Sequence, residues 1–297
     1  MNIFITGGTG LIGRALCKVL LAEGHQISVL SRQPEKVPVL CGANVASMAS
    51  LDDWQTTHKF DAIINLAGEP IADKYWSEKQ KKRLWDSRVT LTEKLVQCIY
   101  ATEYKPSVLL SGSAIGYYGD QGDAELDESS ACGNDFPAHL CSAWEKAALL
   151  VKPLGVRVCI LRTGLVLSQH GGLLHRMLWP FKLGLGAKLG NGKQWMSWVH
   201  IDDYVTMVVR LLNEQNLHDV FNMTAPNPVT NATFTRQLSE AVRRPAVLTA
   251  PRTFLKWALG ERSVLLLGGQ RVLPAKLQAL DFQFRYPTLA IALANLL

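Results

Sequence analysis

Three glycines set the first chemical expectation for this chain. A short apolar run, Ile3 to Ile5, leads directly into Thr6-Gly7-Gly8-Thr9-Gly10-Leu11-Ile12-Gly13. Glycines at 7, 10 and 13 let the backbone turn tightly, approach a pyrophosphate and pack the following helix against the strand. That helix would aim its unbonded N–H groups at the anion. A β-rich run before the turn and an amphipathic segment after it, Leu11 to Ala22, separate a dinucleotide fingerprint from a glycine-rich loop that binds nothing. A second apolar run, Gln26 to Leu30, ends in Ser31-Arg32. An NAD site places Asp or Glu there for the ribose hydroxyls, whereas an NADP site needs a cation for the 2′-phosphate. Arg32 can fork two hydrogen bonds onto a phosphate, Ser31 can donate a third, and no carboxylate opposes them. The reading is therefore NADP(H). Asn65-Leu66-Ala67-Gly68 closes another apolar run, and its small residues would let a ribose or phosphate lie close. Gly7, Thr9, Gly10, Leu11, Ile12, Ser31, Arg32, Leu66, Ala67 and Gly68 are thus expected to bind the cofactor.

Alternation of β-type runs with helical segments positions these residues. After the first strand and helix come Gln26 to Leu30, a weaker strand near Val45, and Asp61 to Leu66. A long helix is expected from Ser77 to about Thr102, then a strand at Ser107 to Ser111, a helix from Ala138 to Val151, and a strand at Val156 to Leu161. This order predicts an α/β fold, a Rossmann-type doubly wound parallel sheet. Right-handed crossovers would bring the C-terminal ends of the strands to one edge, where ligands bind. Arg162, at the end of the sixth strand, falls on that edge. Residues 1–165 should form the dinucleotide-binding domain, with later segments (about 195–225) returning to it, and 166–297 should be mainly a smaller substrate lobe. The glycine-rich stretch from Gly171 to Gly192 reads as a mobile substrate loop. Trp195, Trp198 and His200 are expected on one strand, sharing a face that either stacks on a flat ligand or is core.

Bulk properties narrow the class. In 297 residues, 48% of them hydrophobic, no apolar run approaches the roughly 20 residues of a membrane span. Met1 runs into the first strand without a signal peptide, so a cytoplasmic protein is expected, with no membrane partner. The six cysteines are scattered singly and suit neither a disulfide framework nor a metal site. The net charge of +6 is modest. Its main cluster, Lys79, Lys81, Lys82 and Arg83, reads as a solvated helix face, which argues against nucleic acid. A small-molecule substrate and a monomer or homodimer are expected.

The glycine turn, Asn65-Leu66-Ala67-Gly68, Ser111-Gly112-Ser113-Ala114 followed by Tyr117 and Tyr118, Val199-His200-Ile201-Asp202-Asp203, and Phe221-Asn222-Met223 together resemble the extended short-chain dehydrogenase/reductase family, the NAD(P)-dependent epimerase/dehydratase proteins. Trp144-Glu145, Arg162-Thr163-Gly164-Leu165-Val166-Leu167 and the tail through Phe282-Gln283-Phe284-Arg285-Tyr286-Pro287 resemble, more narrowly, the YfcH-like epimerase family proteins, which carry a characteristic C-terminal segment, here 249–297. The resemblance implies a Ser after the fifth strand, then a Tyr and a Lys four residues apart on the next helix. Ser113 takes the serine slot and Lys146 the lysine slot, but Ser142 stands in the tyrosine slot. A serine hydroxyl lacks the acidity of a phenol, so Tyr117 or Tyr118, or else His200, Cys141 or His139, would have to move the proton. The same resemblance sets Arg88 where family members carry an Asn facing the cleft, and there it would meet phosphates or an anionic substrate. Asp202-Asp203 would cap the helix that follows. The implied activity is an NADP(H)-dependent oxidoreductase or epimerase acting on a small hydroxy or carbonyl compound. A non-catalytic NADP(H)-binding sensor is the alternative.

Overall fold

All seven strands of the main sheet run parallel in the computed structural model, which describes residues 1–297. They are β1 (Asn2–Thr6), β2 (Gln26–Leu30), β3 (Ala46–Met48), β4 (Ala62–Asn65), β5 (Val108–Ala114), β6 (Arg157–Thr163) and β7 (Asp219–Met223). Their spatial order is β3-β2-β1-β4-β5-β6-β7. The winding reverses between β1 and β4, the switch point at which sheets of this kind hold ligands. The helices that matter for the site are α1 (Leu11–Ala22), α2 (Glu78–Trp85), α3 (Leu91–Ala101), α4 (Phe136–Leu149) and α5 (Ile201–Asn213).

Both faces of the sheet's centre are covered, which is why β1, β4, β5 and β6 read as largely apolar runs. Side-chain alternation divides β1 between two cores. Ile3 and Ile5 join Leu16 and Leu20 of α1 and Met207 and Leu211 of α5 on one face. Phe4 joins Leu95 and Ile99 of α3 and Ala148 of α4 on the other. The long helix expected from Ser77 is a rod in three pieces, because a π-helical turn, Asp86–Thr90, joins α2 to α3. Ser77 caps its start by accepting from the Gln80 N–H.

Beyond β6 the structure departs from several expectations. The stretch 171–192 is not an open loop: it holds a helix, Gly172–Lys182, and a strand, Ala187–Leu189. Leu174 and Phe181 bury the apolar side of that helix, which outweighs the glycines at its ends. Trp195 and Trp198 do not share a strand. Trp195–Met196 pairs antiparallel with Val229–Thr230, while Trp198–His200 pairs parallel with Leu165–Ser168. Trp195 points its indole N–H at Asp123, and Trp198 and His200 are core. His200, not the acidic pair, caps α5, its Nδ1 accepting from the Asp202 N–H. Asp203 instead accepts from the Arg285 and Tyr286 N–H groups at 2.9 Å each and so ties down the C-terminal segment. Another part of that segment, Arg271–Val272, pairs with Glu125–Leu126. No helix is long and apolar enough to cross a membrane.

Candidate active site

The glycine turn is built around one close approach. Gly7 has φ +73°, and a Cβ there would stand 2.7 Å from the Leu66 carbonyl, so only glycine lets the ends of β1 and β4 meet this closely. At Gly13 a Cβ would stand 2.4 Å from the Gly7 oxygen. Thr6 locks the two strand ends: its hydroxyl donates to Asn65 Oδ1 at 2.6 Å and accepts from the Ala67 N–H at 3.1 Å. Asn65 in turn donates to Thr92 and Ser111. Gly10 stands at the N-cap of helix α1, and no side chain caps the helix. The N–H groups of its first turn, at Leu11 and Ile12, are therefore open to an anion, with the helix dipole behind them. Ser31 is buried at the end of β2, and Arg32 beside it is exposed and makes no ion pair. The cradle, Leu66-Ala67-Gly68 and Ser31-Arg32 thus lie along one sheet edge. Their chemistry fits a dinucleotide with an additional phosphate.

Arg88 sits in the π-helical turn and reaches this edge from below. Its Nη2 donates to the Glu69 carbonyl at 2.9 Å, and a Cβ at Gly68 would stand 2.9 Å from its Cζ. Burial pushes its pKa down. Its firmest bond therefore supports the Gly68-Glu69 backbone. π-helical insertions recur at functional sites because they aim a side chain that a regular helix would not.

A second cluster lies at the C-terminal ends of β5 and β6. The Ser113 hydroxyl donates to Glu145 Oε1 at 2.6 Å. Arg162 donates to the same carboxylate twice, Nε to Oε1 and Nη2 to Oε2, at 2.9 Å each. Its Nη1 donates to the Tyr118 hydroxyl at 3.0 Å, and Tyr118 donates to Asn222 Oδ1 at 2.6 Å. Glu128 extends the chain by accepting from the backbone N–H of Asn222 at 3.0 Å. Burial alone would lower the Arg162 pKa, but the Glu145 carboxylate outweighs it and holds the guanidinium above its ordinary range. Every donor group of Arg162 is taken within the chain and its side chain is 4% exposed, so it is not presented to a cofactor as expected.

Residues 3–224 match the model of the NAD dependent epimerase/dehydratase family. The chain belongs to that family. Residues 250–296 match a domain of unknown function, DUF1731. The chain is 38% identical to an Arabidopsis thaliana chloroplastic homolog of epimerase family protein SDR39U1, over 96% of this chain and 84% of that one. It is 39% identical to epimerase family protein Mb2239 of Mycobacterium bovis, over 98% and 96%. Among solved structures, human epimerase family protein SDR39U1 (isoform 2) with NADPH superposes with a TM-score of 0.91 at 33% identity, covering 100% of this chain and 99% of that one.

In this epimerase/dehydratase-family chain the two residues that counting sets in the tyrosine and lysine slots make no hydrogen bond to Ser113. Lys146 is exposed and makes no hydrogen bond or ion pair, and Ser142 is half-buried beside Cys132 rather than at Ser113. The pair that helix α4 turns toward Ser113 is Cys141 and Glu145, also four residues apart. Cys141 is buried, and burial with the nearby Glu145 pushes its thiol up to about 12. The other proton-transfer candidates separate clearly. Tyr118 is fully buried and raised to about 12, chiefly by burial. Tyr117 is half-buried, its ring 3.4 Å from the Arg162 guanidinium, and its hydroxyl makes no hydrogen bond within the chain. His139 is exposed on α4. His200 is sealed between its capping bond and the Tyr286 ring, 3.7 Å away. Sequence reasoning missed Glu145, although the spacing of Ala138, Cys141, Glu145 and Ala148 marks one helix face.

Proposed function

We propose that this chain binds NADP(H) and acts as an oxidoreductase or epimerase, exchanging a hydride between the nicotinamide and a polarised carbon of a small molecule. The observation that carries this reading is the glycine cradle at the switch point, joined at the end of β2 by Ser31 and Arg32 with no carboxylate beside them. Open N–H groups of Leu11 and Ile12 would receive the pyrophosphate, Arg32 and Ser31 the 2′-phosphate, and the backbone of Leu66 to Gly68 a ribose. NADPH in the human relative supports the choice of cofactor. The bound cofactor supplies the hydride chemistry. The protein supplies binding, orientation and a dry polar cluster centred on Ser113. A purely cofactor-sensing role would leave that cluster, with its buried Glu145 and Arg162, without a task.

Equilibrium titration with NADPH and NADH tests the cofactor assignment, and about tenfold tighter binding of NADPH is expected. Equal affinities would sink it. Monitoring reduced-nicotinamide absorbance against a panel of small carbonyl, hydroxyl and imine compounds tests the enzyme. Tight NADPH binding with no turnover across that panel would count for the sensor instead.

A further inference from the structure

Ser113 has one proton and has already given it away. Its hydroxyl lies 2.6 Å from Glu145 Oε1, and that carboxylate is gripped through both oxygens by Arg162. A carboxylate so paired is ionised and can only accept, so the Ser113 hydroxyl must be the donor. Toward a ligand, Ser113 Oγ therefore offers lone pairs alone. A carbonyl oxygen brought to it would set lone pair against lone pair. Reduction of that carbonyl would also call for a proton donor, and neither Tyr118, fully buried with its hydroxyl on Asn222, nor Lys146, out in solvent, supplies one at this point; Tyr117, the one phenol here with a free hydroxyl, has its ring laid over Arg162 and makes no hydrogen bond to Ser113.

We infer that the substrate's reacting group carries its own proton toward Ser113, and that the substrate class is a protonated imine, the iminium form of a C=N bond. The inference rests on the reading of a nicotinamide cofactor in this cleft. The iminium N–H donates to Ser113 Oγ. The iminium carbon accepts a hydride from reduced nicotinamide, the C=N π pair moves onto nitrogen and cancels its charge, and a neutral amine and oxidised nicotinamide remain. No proton moves in that step, so neither a phenol nor an ammonium is needed beside the substrate. Glu145 is a positioning residue: it acts by fixing which way Ser113 points its hydrogen.

Replacing the carboxylate by an amide should reverse this polarity. In Glu145→Gln the amide oxygen keeps an acceptor for Arg162, the amide N–H donates to Ser113, and the serine proton is released to the cleft. The test uses the full-length protein saturated with NADP+, so that binding is read without turnover, and two rings of matched size, pyrroline below its own pKa and cyclopentanone. Ligand-observed NMR titration should show wild type binding protonated pyrroline about tenfold or more tightly than cyclopentanone. The preference should fade as pyrroline loses its proton, in step with the ligand's titration. Glu145→Gln should shift the preference toward cyclopentanone, and Ser113→Ala should abolish it. The serine variant carries the test if the amide variant does not fold. With NADPH in place of NADP+, pyrroline should be reduced and cyclopentanone should not. Equal or tighter binding of cyclopentanone to wild type, failure of both rings to bind, or an unchanged preference in either variant overturns the inference while leaving NADP(H) binding intact. Failure of NADP+ itself to bind would instead remove the reading on which it rests.

Discussion

Arg162 holds Glu145 through both carboxylate oxygens at 2.9 Å, and their side chains are only 4% and 8% exposed. A pair this deep is costly to break from one side, since the survivor keeps its charge without its partner. Glu145→Ala or Arg162→Ala should each lower unfolding free energy by about 3–5 kcal/mol. Replacing both by apolar residues of similar volume should cost much less. Urea denaturation of the three variants checks this, and single-variant losses under about 1 kcal/mol would contradict it.

Lys146 and Glu145 are neighbours in sequence with opposite surroundings. Lys146→Ala removes an exposed side chain without a partner, so both stability and NADPH affinity should stay within about 0.5 kcal/mol of wild type. A marked loss of NADPH affinity in a fluorescence titration would return Lys146 to the lysine slot that the family resemblance assigns it.

Arg32 should decide between the two nicotinamide cofactors. Arg32→Glu replaces a free cation at the end of β2 by the carboxylate that an NAD site carries. NADPH affinity should fall by about tenfold or more, and NADH affinity should hold or rise. Unchanged affinities for both would show that the 2′-phosphate lies elsewhere.

Acid should loosen the fold through His200. Burial is the main cause of its lowered pKa and outweighs the pull of Asp202 and Asp203 in the other direction. The folded state therefore keeps the ring neutral while the unfolded chain takes up a proton below about pH 6.5. More protons on the unfolded side mean that stability falls as pH drops through that window. Asp203 and Glu128, raised by burial, work in the opposite sense at lower pH, where the folded state takes up protons first. His200→Asn keeps an acceptor for the Asp202 N–H but does not titrate. Its melting temperature should fall less than that of wild type between about pH 7.5 and 5.5, and parallel curves would refute the assignment.

The nucleotide-binding half was legible because its signals are local. Gly7, Gly10 and Gly13 announce a turn whose demands lie within a few residues, and the apolar runs of β1, β4, β5 and β6 are buried on both faces. The register of α4 was harder. A sequence motif places Lys146 by counting from a tyrosine that is absent, whereas packing places it by which residues meet β5. Ala138, Cys141, Glu145 and Ala148 are buried, so the next position after Glu145 must turn outward. The helix at Gly172–Lys182 was hidden by flanking glycines, and the partners of the Glu128 and Asp203 carboxylates lie 82 or more residues away, where no spacing rule reaches.

The polar chain that begins at Ser113 ends at residues 273 and 276, made well after the last strand of the main sheet. Asn222 donates its side-chain amide to the Leu273 carbonyl, and Glu128 accepts from the Lys276 N–H. During synthesis the sheet can assemble while these partners are still inside the ribosome, but the floor beneath Ser113 cannot be finished. The Ser113 cluster is in this sense finished later than the nucleotide cradle. A nascent chain could hold its nucleotide early, yet its Ser113 cluster would stay unsettled until residues 273–276 had arrived.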